Sequence, residues 1–334
     1  MPRIPFEMAV EQLEKILLSR NMDKENARKI ACEMARSSLE GTYSHGINRF
    51  SRLIDNIDRG IVLADASPQK INGFGAIENY DGQQGPGITN ASFCMDRAMV
   101  LAREHGIGLV ALGNTNHWMR AATYALQACA GGMAAICFSN TMPNMPTWGA
   151  KDARLGNNPL TLGFPRKGGD IIVDMAMSQF SYGALEVANL KGVEMSAPAG
   201  FDEKGNLTQD PSRVIASQRI LPAGYWKGAA LSFVLDVFAA CLALGNTTAA
   251  IGRLNGDEHG LSQVFIAIDY RRIAPTEMTQ AILDDAIDNV LASQSDGSGA
   301  RITYPGERRI RVMEENTARG IPVDDVVWER ILAL

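Results

Sequence analysis

The chain is poor in the residues that most site chemistries need. Only four histidines occur in 334 residues, and the five cysteines (Cys32, Cys94, Cys129, Cys137, Cys241) are scattered, with no CxxC or CxxxxH spacing. An odd, dispersed set in mostly apolar surroundings builds neither a disulfide framework nor a zinc site. Reduced, buried thiols in a cytoplasmic protein are therefore the expectation, with no metal. Basic charge is not in excess either. The formal net charge is -5, which speaks against a sequence-independent nucleic-acid binder. The longest apolar run, residues 229–244, is interrupted by Asp236. It is too short to span a bilayer comfortably and reads as a buried core helix, and residues 1–7 lack the apolar core of a signal peptide. The dinucleotide fingerprint is missing as well. Gly73-Phe74-Gly75 and Gly106-Ile107-Gly108 each supply two glycines but do not continue into a helix N-terminus, and no P-loop, GxSxG or HExxH occurs. What remains is 46% hydrophobic and 21% charged, the make-up of an ordinary globular protein of one or two domains.

Against this background one run stands out: Thr42-Tyr43-Ser44-His45-Gly46-Ile47-Asn48-Arg49. It places a hydroxyl, a scarce imidazole and a guanidinium within a few residues. If Ser44 caps a helix running through Arg49 and Phe50, His45 and Arg49 stand at i and i+4 on one face. A bidentate arginine can grip a carboxylate while a histidine exchanges a proton near neutral pH, a pairing suited to a substrate with a carboxylate beside a carbonyl or hydroxyl. A helix cap followed by a solvated His and Arg accounts for the run equally well. His117 sits where an apolar strand gives way to a helix, a usual place for site residues in α/β folds, and it also reads as a capping or core-edge histidine. His105, beside Gly106, and His259, in the polar loop 255–260, are expected to take no direct part. Lys227, between Trp226 and Gly228, can reach a phosphate or carboxylate or simply face water. Asp174, among aliphatics in IIVDMA (171–176), needs partners if it is buried.

The pattern along the chain predicts an amphipathic helix over 6–20, a second capped by Asp23 and ending at Gly41, and a third over 48–58. Strand, loop and helix signals then alternate: strand character in 70–80, a helix over 95–105, a strand over 107–112, a helix over 118–130 and strands at 133–138 and 171–176. The stretch 198–224, rich in Pro, Gly, Asp and Ser, reads as one long loop. A helix over 229–244, a strand over 263–269, a helix over 275–291 and two short helices near 308–317 and 324–334 close the chain. Residues 1–65 thus read as a helical unit carrying the His45 segment, completed by 300–334, with 66–299 as an α/β cofactor- and substrate-binding region.

Taken in order, YSHGINRF (43–50), GIGLVALGNTNHWMRAATYA (106–125), WGAKDARLGNNPL (148–160), VDMAMS (173–178), LPAGYWKG (221–228), QVFIAID (263–269) and YPGER (304–308) resemble the malate/L-lactate dehydrogenase-like family of NAD(P)-dependent oxidoreductases, the second, non-Rossmann type. HWMR, SQFSYG, GYWKG and the C-terminal IPVDDVVWERILAL are similar to members that reduce diketo sugar acids rather than to the malate or ureidoglycolate members. The resemblance implies hydride transfer from NADH, or alternatively NADPH, to a carbonyl beside a carboxylate. By the same likeness His45 is the proton donor, Arg49 holds the carboxylate, Ser44 orients the pair, and His117 is a second acid/base candidate. Asp170, Ile171, Ile172, Val173, Asp174, Met175, Ala176, Trp226, Lys227, Gly306, Glu307 and Arg308 would line the nucleotide. The implied fold is α/β with a mixed, largely antiparallel sheet and flanking helices, which agrees with the missing fingerprint. A homodimer with a small-molecule 2-oxo acid substrate, and neither nucleic acid nor membrane as partner, completes the expectation. The chain departs from the family pattern at Asn157, where many members have threonine, and at Glu307, where sugar-acid members carry a histidine after the glycine. Competing readings are a reductase for another 2-oxo acid (malate, lactate, ureidoglycolate) or a cyclic imine carboxylate, and a non-catalytic sugar-acid or nucleotide binder. A Ser44–His45 hydrolase is disfavoured, because sequence neighbours rarely present both side chains to each other.

Overall fold

The opening helices form where apolar residues recur every three or four positions. The computed structural model, which describes residues 2–334, places β1 at Arg3–Ile4 and α1 at Phe6–Leu18, with Ala9, Val10, Leu13, Ile16 and Leu17 on its buried stripe. Asp23 caps α2 (Lys24–Leu39), its carboxylate accepting the N–H groups of Glu25 and Asn26. Two 3-10 turns, 43–45 and 47–49, lead into α3 (Phe50–Asp58). The hairpin β2 (Gln69–Phe74) and β3 (Ile77–Asp81) is followed by α4 (Gly87–His105), β4 (Ile107–Asn116), α5 (Ala122–Ala130) and β5 (Ala134–Ser139). A small ribbon, β6 (Met145–Pro146) with β7 (Ala153–Leu155), precedes β8 (Leu160–Phe164), β9 (Ile171–Met175) and α6 (Tyr182–Lys191). A second ribbon, β10 (Gly200–Phe201) with β11 (Leu207–Thr208), leads through α7 (Pro211–Ser217) to α8 (Trp226–Ala243) and α9 (Thr248–Ile251). The chain closes with β12 (His259–Ile268), α10 (Thr276–Leu291), α11 (Glu307–Arg319), β13 (Ile321–Pro322) and α12 (Asp325–Leu332).

Seven strands form the central sheet in the order β2-β3-β4-β12-β5-β8-β9. Only β3 and β4 run parallel, the other neighbours being antiparallel. The sheet is therefore mixed and largely antiparallel, flanked by helices. Alternation along the strands sends successive side chains to opposite layers. Val110, Leu112, Cys137 and Phe265 pack with α4 and α5, whereas Ala111, Phe138 and Val264 pack with α6 and α8. A third apolar cluster joins α1, α2 and α3 to Ile321, Val323 and Ile331 from the C-terminal end, and touches the sheet region through Ile88 and Met119.

Asp236, which interrupts the apolar run of α8, is buried and satisfied. It accepts hydrogen bonds from Asn140 Nδ2 at 2.9 Å and from the Thr248 N–H at 2.7 Å, tying α8 to the end of β5 and the start of α9. Parts of the expected element pattern fail. The 198–224 stretch is not one loop: Asp210 caps α7, with Pro211 at its first position, and β10 and β11 pair antiparallel. The pattern missed α6, whose apolar residues do not keep to one face, and the helix expected over 95–105 begins at Gly87.

Candidate active site

The His45 segment is not the capped helix the sequence predicts. Gly46 has φ −115° and ψ −135°, which breaks the run into two 3-10 turns. The break comes from packing: a Cβ at Gly46 would lie 2.2 Å from Ser38 Oγ and 2.8 Å from the Met34 carbonyl, so only glycine lets this backbone lie against α2. The Ile47 N–H, freed from any helix, donates to Ser38 Oγ at 2.9 Å. Ser44 accordingly caps nothing. Its Oγ lies 2.9 Å from His45 Nδ1.

His117, at the end of β4, stacks on His45 with ring centroids 5.6 Å apart and planes 22° from parallel. The structure thus brings together two histidines that are 72 positions apart in the chain. Their ring nitrogens face different neighbours. The Met119 N–H donates to His117 Nδ1 at 2.9 Å, held there by a left-handed Met119 backbone (φ 61°). A nitrogen that accepts an N–H carries no proton, so neutral His117 bears its hydrogen on Nε2. Burial, and then the charge of Arg49, lower the His117 pKa well below its ordinary value. The same two causes, in the same order, bring His45 down to about 4.

A cavity beside His117 is lined by Arg49, Arg52, Asn116, His117, Asp257 and Glu258. Its two arginines differ. Arg52 is ion-paired with Asp257, which also accepts from Asn56 Nδ2 at 3.0 Å, and Glu258 accepts the Met142 N–H at 2.9 Å. The Arg49 guanidinium makes no hydrogen bond or ion pair among the described residues, while burial and then Arg52 pull its pKa below the usual arginine value. A largely enclosed cation with no direct hydrogen-bond partner, its charge only partly offset by Glu258 and Asp257, can receive an anion.

The segments expected to line a nucleotide converge along β9, an edge strand. At its start, the Ile172 N–H donates to the Pro305 carbonyl at 3.1 Å. Gly306 (φ 105°) lies so close that a Cβ there would sit 2.5 Å from the Asp170 carbonyl. Past its end, the Met177 carbonyl accepts the Ala223 N–H at 2.8 Å, and Ser178 bridges Pro222, which brings in Trp226 and Lys227 at the N-terminus of α8. Asp170, Ile171, Ile172, Val173, Asp174, Met175 and Ala176 thus share one rim with Trp226, Lys227, Gly306, Glu307 and Arg308. Lys227 and Arg308 are exposed, and neither forms an ion pair among the described residues. Two free cations and the N-terminus of an 18-residue helix suit a phosphate-bearing cofactor. Asp174 stands on the edge strand with much of the residue exposed, but its carboxylate turns toward α5. Oδ2 accepts the N–H of Ala122, the first residue of α5, at 2.9 Å, and burial raises its pKa above the usual carboxylate value.

Several residues with evident parts here went unnoticed in the sequence. Asp257 and Glu258 lie in a loop read only as polar, and Met119 acts through its backbone, which no side-chain pattern reveals. Glu40 and Arg120 form a buried ion pair at 2.5 Å. Their only signal is proximity, Glu40 five residues before His45 and Arg120 three after His117.

Residues 4–332 match the model of the malate/L-lactate dehydrogenase family. The chain is 43% identical over 332 residues to a 2,3-diketo-L-gulonate reductase of Klebsiella pneumoniae (strain 342), covering 99% of this chain and 100% of the relative. Its fold is similar to that of malate dehydrogenase from Entamoeba histolytica, with a TM-score of 0.94 at 23% identity over 99% of this chain and 96% of that one. Sulfolactate dehydrogenase from Methanocaldococcus jannaschii superposes with a TM-score of 0.88 at 25% identity, covering 99% and 95% of the two chains.

Proposed function

The chain belongs to the malate/L-lactate dehydrogenase family of NAD(P)-dependent oxidoreductases, and from that premise we propose that it reduces a 2-oxo sugar acid, 2,3-diketo-L-gulonate by preference, with NADH. The observation that carries this reading is the partnerless Arg49 beside two stacked imidazoles. A substrate carboxylate pairs with Arg49, and the adjacent carbonyl then lies against the histidines. Residues 170–176, Lys227 and 306–308 would hold the nucleotide along β9, where it would supply the hydride. Hydride arriving at the carbonyl carbon drives the C=O bonding pair onto oxygen, and that oxygen takes a proton from the protein.

His45 provides that proton. Protonated His45 has hydrogen on both ring nitrogens, and Ser44 Oγ, a hydroxyl, can accept from Nδ1 as readily as donate to it. His117 has no such freedom. A proton on its Nδ1 would oppose the Met119 N–H, so His117 stays neutral and offers Nε2–H as a fixed donor to the substrate oxygen. The low pKa of His45 in the free protein has a consequence for binding. Burial is the larger cause of that low value and the Arg49 charge the smaller; a carboxylate seated on Arg49 offsets the smaller one, so substrate binding is expected to move the His45 pKa upward.

We further propose a homodimer closed over the outer side of α8, where Leu231, Phe233, Val234, Val237, Phe238 and Leu244 are exposed. An apolar stripe of this kind marks an interaction face. The helix is long and apolar enough to cross a membrane by composition alone, but Asp236 and its alanine face are engaged with the sheet side of the protein. Light scattering that returned a monomer would remove this part of the proposal.

The test of the reaction is direct. NADH and then NADPH are mixed with the protein, and absorbance is followed on adding 2,3-diketo-L-gulonate, pyruvate, oxaloacetate and a cyclic imine carboxylate singly. Rapid NADH oxidation with diketogulonate is expected. Faster turnover of another acid discards the substrate but keeps the chemistry, and nucleotide binding with no turnover of any of them discards the reaction.

A further inference from the structure

Glu40 lies where three segments meet. It ends α2, and its Oε2 is held by Arg120 Nη2 at 2.5 Å and by Arg309 Nη1 at 3.3 Å. Arg120 follows His117 by three residues, Glu40 precedes His45 by five, and Arg309 lies in the first turn of α11, immediately after Gly306-Glu307-Arg308. The carboxylate and the Arg120 guanidinium are almost wholly enclosed, with side chains 5% and 2% exposed. Arg120 Nε and Nη1 and Arg309 Nε have no hydrogen-bond partner among the described residues. A second tie runs beside the first: Asn316 Nδ2 of α11 donates to the Leu39 carbonyl at 2.9 Å and lies 3.2 Å from the Tyr43 hydroxyl.

A buried ion cluster is a poor device for stability alone, since desolvation offsets most of the attraction, and well-packed apolar groups usually serve as well. An apolar alternative is at hand, for α2 is built into the apolar cluster of the helical layer. What charge adds is direction: a bidentate-capable arginine and a carboxylate fix each other's position where packing leaves freedom to slide. We propose that Glu40 is the positioning residue of the site. Gripped by Arg120 and Arg309, it sets the spacing of His45 and His117 and couples both to the segment that receives the nucleotide. The inference rests on the acid/base reading given above, and it concerns how the two imidazoles are held rather than what they do.

The test compares the wild type with Glu40→Gln, which keeps the shape and removes the charge. Unfolding midpoint, NADH affinity, kcat and KM against pH, and the 15N imidazole spectrum without cofactor are measured on both. Misplacing a catalytic group by about 1 Å costs about 10²-fold. The expected result is therefore a folded variant with kcat reduced by about tenfold to a hundredfold, KM for the 2-oxo acid within about threefold, a displaced pH profile of kcat, and loss of the single Nε2–H tautomer signal of His117. A folded variant with kcat, profile and tautomer signal unchanged overturns the proposal, as does a loss that only follows the unfolded fraction. If Glu40→Gln does not fold, Arg309→Met decides, because it leaves the Glu40–Arg120 pair intact. A shifted His45 signal with weakened NADH binding supports the coupling, and two unchanged readouts overturn it. A wild type that reduces no 2-oxo acid, but whose His117 tautomer signal still depends on Glu40, sinks the proposed reaction and leaves the positioning role standing.

Discussion

The two histidines of the site are the same residue type, stacked on each other and exposed to the same arginine, yet their ring nitrogens have different company. His45 Nδ1 meets the Ser44 hydroxyl, which donates or accepts by rotating, whereas His117 Nδ1 meets the Met119 N–H, which only donates. One ring can therefore take up a proton and the other cannot. Burial, and then the Arg49 charge, lower both pKa values, but the hydrogen-bond partner distinguishes the two rings. In the mechanism we propose, a pair of like side chains is in this way divided into an acid and a fixed donor.

The largest effect should come from removing the cycling member. His45→Asn is expected to reduce kcat by about 10²–10⁴-fold, with NADH affinity by calorimetry unchanged, and equal losses of both would reassign His45 to cofactor binding. Next comes the carboxylate clamp. Arg49→Lys keeps the charge but loses the fork, and should lower kcat/KM for the 2-oxo acid by about 10–100-fold, with KM and kcat both worsened in steady-state kinetics; a neutral outcome makes Arg49 structural. His117→Gln retains an N–H donor near the same place, so its loss should be about tenfold. A loss as great as that of His45→Asn would erase the distinction between the rings.

Two pH effects sharpen the same comparison. The pH profile of kcat/KM reports the free enzyme and that of kcat the substrate complex. Because a bound carboxylate offsets the Arg49 charge, the kcat for ketone reduction should fall off at a higher pH than kcat/KM does. Coincident profiles would show that binding does not tune His45. The smallest effect is on stability. A histidine in the unfolded chain titrates near about 6.5, and His45 in the fold near about 4, so between these values the unfolded chain binds more protons. Stability gained from neutral His45 is present above that window and is lost as pH drops through it. The thermal midpoint should decline from about pH 6.5 toward 4, and His45→Asn should flatten part of the decline.

Much of this was legible in the sequence, for reasons particular to each part. The helices α1 and α2 follow from an apolar stripe and from Asp23, whose short carboxylate has little to do except cap. β4 and β12 stand out because their apolar runs are bounded by turn residues. The site was visible as residue types, a histidine and an arginine close together and a second histidine at a strand end, but its geometry was not. The i, i+4 helix inferred for His45 and Arg49 is overruled by the contact of Gly46 with α2, a tertiary effect that no local propensity contains. Stacking of His45 on His117 depends on the docking of the helical layer against the end of β4. Asp174 lies on an edge strand, yet its carboxylate finds the partners that its aliphatic neighbours led one to expect, the Ala122 N–H and the Thr161 hydroxyl. Glu40 and Arg120 were overlooked because a charged residue in a helix or loop is ordinarily solvated, and only the fold shows that both are enclosed.

The division of labour between the rings can be read directly by 15N NMR of the imidazoles, titrated between pH 8 and 5 with and without oxamate, a carboxylate that is not reduced. The account predicts that His117 remains neutral with hydrogen on Nε2 throughout, and that His45, neutral in the free protein, becomes imidazolium when oxamate occupies Arg49. An imidazolium at His117, with His45 neutral in the complex, would contradict it and transfer the proton donor's role to the other ring.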